Sequence, residues 1–115
     1  NYGDAPVRTS PGFHPYFPAV GTQFDFNGAP YDADYIAHTE FVASPSDTHV
    51  AFDGIKLDIR TQNLPVYALW SDRNGQYTCA EPTAEGNAFL SPARGGQFVS
   101  GHGKKHYGMK IRLIA

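Results

Sequence analysis

The chain has 115 residues, with 9 Lys and Arg against 11 Asp and Glu and a net charge of −2 with histidines neutral. That length makes one small domain, residues 1–115, and a chain 41% hydrophobic and 14% aromatic is too apolar for disorder. No basic run appears, which argues against a nucleic-acid partner, and no apolar run approaches the roughly 18–20 residues of a membrane span.

The opening "NYGDAP" lacks both the basic start and the apolar core of a signal peptide, and points to a processed or truncated product. Short apolar runs rich in β-branched and aromatic residues then follow, divided by turn signals. "TQFDFNG" alternates and turns at Asn27-Gly28, and "HTEFVAS" is a strand ended by Pro45. "THVAFDGIKLDIRT" reads as a hairpin around Asp53-Gly54. Its second arm, Ile55 to Arg60, alternates so that one face is buried. "VYALWS" and "QYTCAE" are two further strands with "DRNG" as their hairpin loop. "VYALW" is apolar on both faces and belongs at the centre of a sheet. Residues 84–105 read as a long Gly-rich loop with one short strand at Gln97–Val99. "KKHYGMKIRLIA" closes the chain as a strand with Met109, Ile111 and Leu113 on one side. About seven strands, short loops and no helix make an all-β, antiparallel sandwich.

Few groups stand out for chemistry. His102 and His106 are four apart, but Gly101, Gly103 and Gly108 argue against the helix that would make them a metal pair. No G-x-S-x-G motif offers a nucleophilic serine, and "GHGKK" lacks the spacing of a phosphate loop. Cys79, the single cysteine, excludes an internal disulfide and reads as a buried, reduced core residue, compatible with a cytoplasmic protein. Glu81 ends "QYTCAE" on a face shared with Thr78, and Pro82 stiffens its exit. His14 stands in "GFHPYFP" between Pro11 and Pro15, each of which holds the residue before it extended, with Phe13, Tyr16 and Phe17 around it. An imidazole and a carboxylate, with ordinary pKa values near about 6.5 and 4.3, can move protons in opposite directions near neutral pH.

Two motifs coincide in order. "GFHPYF" resembles the second histidine motif of the aldose 1-epimerase (galactose mutarotase) family, and "VYALWSDRNGQYTCAEP" resembles the stretch leading to that family's catalytic glutamate. "GNAF" and the closing "KKHYGMKIRL" also resemble its C-terminal end. The resemblance spans nearly the whole chain but only the later half of the family's usual length. It implies a partial mutarotase-like supersandwich in which His14 is the general acid and Glu81 the general base of hexose anomer interconversion. Tyr16 and Trp70 would contact a monosaccharide such as galactose or glucose, although a core role is the favoured one for Trp70. No cofactor and no metal would be needed. Thr83 stands where the family has Trp, and the family's earlier histidine and substrate-binding arginine lie in a segment this chain lacks. A catalytically silent carbohydrate-binding module and a purely structural β-domain therefore stay open. A half-sandwich would also expose edges and apolar faces, which implies self-association or pairing with a missing N-terminal half.

Overall fold

The computed structural model describes residues 1–18, 23–32, 35–71, 77–91 and 97–114. Among them run eleven strands: β1 Val7–Arg8, β2 Tyr16–Pro18, β3 Gln23–Phe26, β4 Ala29–Asp32, β5 Glu40–Ala43, β6 Asp47–Phe52, β7 Ile55–Gln62, β8 Val66–Ser71, β9 Tyr77–Thr83, β10 Phe98–Val99 and β11 Gly108–Ile114. The expected all-β sandwich is what forms. A five-stranded sheet in the order β11-β7-β6-β3-β4 faces a four-stranded sheet in the order β2-β9-β8-β5. The described pairings are antiparallel.

Local chemistry sets the hairpins. Asn27-Gly28 joins β3 to β4, with φ of 52° and 81°, and Asp53-Gly54 joins β6 to β7, with 46° and 77°. Positive φ at both central residues gives the turn whose twist matches that of the flanking strands. The Asp25 carboxylate accepts the Gly28 amide at 2.7 Å and locks the first turn. Alternation then turns Phe24, Phe26, Val50, Leu57 and Ile59 inward from the larger sheet. Phe17, Tyr67, Leu69 and Ala80 meet them from the smaller one. Ring pairs bridge the layers, Phe17 with Phe52 at 5.7 Å and Phe26 with Tyr67 at 5.0 Å. β8 lies inside its sheet, between β9 and β5, as its doubly apolar sequence requires. The "DRNG" loop lies outside the described residues.

The segment after Thr83 departs from a plain loop. Gly86–Leu90 form a 3-10 turn, and the short strand is Phe98–Val99, paired with β1. Partners remote in sequence hold it: the Glu85 carboxylate takes Arg8 at 3.3 Å and the Gln97 amide. The Asn1 side chain donates to Val99 and Ser100 carbonyls, both at 3.1 Å. A second 3-10 turn, Tyr35–His38, buries Ile36 in the core. On β11 the register opposite Ile59 and Leu57 turns Ile111 and Leu113 to the core side. They nonetheless stay 40% and 68% exposed, because β11 is an edge strand that little of the smaller sheet covers.

Candidate functional site

The site forms on the outer face of the four-stranded sheet, away from the core. Tyr16 pairs with Cys79 and Gly12 with Thr83 in one continuous register, so His14 lies opposite Glu81. Pro15 and Pro82 shape the stretch between. Phe13 N–H donates to the Pro82 carbonyl at 3.0 Å, so the Pro82 nitrogen points the same way, toward residues 12–15, and removes no bond to β8. β9 thus keeps its pairing with β8 through Pro82.

His14 and Glu81 come into direct contact, Nδ1 to Oε1 at 3.2 Å. His14 is half exposed, whereas the Glu81 side chain is only 18% exposed. Burial pushes the Glu81 carboxyl above its ordinary range, and the positive His14 opposes that push. With Glu81 ionised, Nδ1–H donates to it, and Nε2 faces the Tyr16 hydroxyl at 3.4 Å. The imidazole stacks on Tyr16 with centroids 4.6 Å apart and 5° between planes. Trp70 meets its edge at 6.5 Å. Tyr77 closes the circuit, 5.0 Å from Tyr16 and 5.7 Å from Trp70. Beside this box opens a hollow of about 360 Å³ lined by His14, Thr39, Phe41, Ala68, Trp70, Glu81, Thr83 and Gly86. Its floor is set by the row Phe41–Ala68–Glu81 across β5, β8 and β9.

The four residues singled out in the sequence are brought together here. Three details of the expectation change. Glu81 does not end its strand, which runs on to Thr83, and it shares its face with Cys79, not Thr78. The pleat has a period of two, so Thr78 turns into the sandwich interior. Trp70 leaves the core for the site, since its neighbours Leu69 and Ser71 take the buried side of β8. Cys79 is fully buried, yet on the site face, between Tyr16 and Trp70 in the cross-strand row. Its position two residues before Glu81 was the signal that places it there.

Other polar clusters are of a different kind. Asp58 on β7 takes both His49 on β6, at 2.6 Å, and Arg112 on β11. Its carboxyl is held below the ordinary range, first by the Arg112 hydrogen bond and against some burial. This is a cross-strand charge ladder on the wet face of the larger sheet. His102 pairs with Asp4 at 2.7 Å rather than with His106, a carboxylate that arrives from the far end of the chain. A hollow of about 390 Å³ beside Phe24, Phe52 and Ile55 lies near Asp25, whose carboxylate the Gly28 amide already engages.

No family model and no curated protein matches the chain. Its fold is similar to the crystal structure of the Slr1438 protein from Synechocystis sp. PCC 6803, with a TM-score of 0.69 and 17% identity. The likeness covers 98% of this chain and 47% of that one, so this chain spans about half the length of the solved structure. At that identity the likeness establishes the sandwich fold alone. Among the described residues no helix is long and apolar enough to cross a membrane.

Proposed function

We propose that the chain is an aldose 1-epimerase-like protein that interconverts the α and β anomers of a hexose with His14 as general acid and Glu81 as general base. The observation that carries this reading is the 3.2 Å contact of the two groups at the rim of one hollow. The anomeric hydroxyl oxygen and the ring oxygen of an aldose are both bonded to C1. An acid and a base that are neighbours at one side of the ring can therefore serve both oxygens. Glu81 takes the anomeric hydroxyl proton while imidazolium His14 gives one to the ring oxygen, and the C1–ring oxygen bond breaks. Rotation about C1–C2 turns the aldehyde over. Closure reverses both transfers and leaves the pair as it began. Burial of Glu81 raises its basicity, and the positive His14 beside it opposes part of that rise. Tyr16, 57% exposed, and Trp70 offer ring faces to the sugar's C–H surfaces.

A second reading, sugar binding without turnover, draws support from the lining of the hollow: it holds no Arg or Lys among the described residues. Polarimetry on freshly dissolved α-glucose or α-galactose separates the two. The enzyme reading expects faster mutarotation, lowered about 10²–10⁴-fold by Glu81→Gln. Sugar binding with no acceleration by the unaltered chain would establish the silent module instead. The reading also extends to a partner: the exposed Ile111 and Leu113 on β11, the outermost strand of its sheet among the described residues, suit self-association or a companion half.

A further inference from the structure

We infer that His14, Cys79 and Glu81 form a three-ligand site for a zinc-class divalent cation, with the fourth coordination position open to the hollow. The inference does not depend on any sugar chemistry at the site. One nitrogen of His14, the Cys79 sulfur and one Glu81 oxygen all lie within 4.8 Å of one another. Zinc bonds of about 2.0–2.3 Å to N, O and S set the edges of a tetrahedron at roughly 3.2–3.8 Å. The His14–Glu81 edge already has that length at 3.2 Å. The two edges to the Cys79 sulfur are within 4.8 Å and would shorten to that range when an ion is held.

Three features of the fold favour the ion. Cys79 and Glu81 are two apart on β9, so the pleat aims both at one side, and the shared register supplies His14 from across the ladder. The rings of His14, Tyr16, Tyr77 and Trp70 touch in a closed circuit around the buried Cys79. The side toward His14 and Glu81 is then the natural way in to the sulfur. Nδ1 is the His14 nitrogen that faces Glu81, so it is the one the metal would take, with Nε2 left on the other side of the ring.

The donor set selects the metal. A thiolate and an imidazole with one carboxylate suit zinc and its borderline neighbours rather than magnesium or calcium, which prefer all-oxygen shells. Thiolate and carboxylate together neutralise a divalent ion, and binding releases the thiol proton. An ion seated there holds the lone pairs of both His14 and Glu81, so it silences any proton transfer by the pair.

Cobalt titration of the unaltered chain tests the site, because a thiolate on cobalt gives an intense near-ultraviolet charge-transfer band that carboxylate and imidazole sites lack. The expected result is a band saturating at one cobalt per chain and displaced by zinc. Cys79→Ser should abolish the band. His14→Ala, a change at a half-exposed side chain that leaves the core intact, should weaken cobalt binding. A chain that shows no band at saturating cobalt, or an affinity unchanged in His14→Ala, overturns the inference. Magnesium binding as tightly as zinc would overturn it equally.

Discussion

Gly86 packs where the 3-10 turn meets β8 and β5, and replacing it with Ala tests how tightly the hollow is built. Its φ is +56°, and an added Cβ would sit 2.8 Å from Val66 Cγ1 and 3.0 Å from Phe41 Cδ1. The backbone there has little freedom to yield. Gly86 N–H donates to the Thr83 hydroxyl at 2.8 Å, and that hydroxyl donates to the Val66 carbonyl at 2.8 Å. A side chain in the left-handed region costs about 1–2 kcal/mol. Crowding a packed position adds about 1–3 kcal/mol, so Gly86→Ala should cost about 2–5 kcal/mol. Gly28→Ala is the matched comparison: φ is +81°, but nothing lies within 4 Å of the new Cβ. It should lose only the backbone term, about 1–2 kcal/mol. At roughly 4 °C per kcal/mol for a domain of this size, thermal melts followed by circular dichroism should show losses of about 8–20 °C and about 4–8 °C. Equal losses in the two variants would refute the packing argument and leave only the backbone strain.

Two other outcomes follow from the structure. Burial raises the Glu81 carboxyl, so its contribution to stability is present at low pH and is lost as pH rises through its folded value. Glu81→Gln should therefore raise Tm at about pH 7 and lose that advantage at about pH 4, below the ordinary glutamate range; a larger advantage at the lower pH would reverse the sign of the argument. The exposed Leu113 beside the β11 edge should drive association at micromolar concentration, and Leu113→Lys should shift it toward monomer with stability changed by no more than about 0.5 kcal/mol. Sedimentation showing an unaltered chain that is monodisperse at 12.6 kDa would remove the association.

Much of the sandwich was legible from local pattern. Asn27-Gly28 and Asp53-Gly54 encode their turns in two residues, because positive φ is a property of the residues themselves. The alternation of Leu57 and Ile59 encodes a buried face, because the pleat repeats every two residues. The proline frame of His14 and the Pro82 beside Glu81 likewise marked both residues from the chain alone. The 3-10 turn at Gly86–Leu90 was not legible, since the Glu85 clasp on Arg8 and Gln97 unites segments far apart in sequence.

What the linear chain determined, then, is conformation residue by residue: where it turns, where it extends and which positions alternate. Tertiary structure decided which face is which. A pleat tells that Cys79 and Glu81 share a side, but only the packing of the second sheet makes that side the outer one and sends Thr78 inward. Register across β2 and β9 is likewise a property of two distant segments, and it alone places the His14 imidazole 3.2 Å from Glu81. Dihedral preference acts within a few bonds, whereas burial and cross-strand pairing depend on every element that comes to lie alongside.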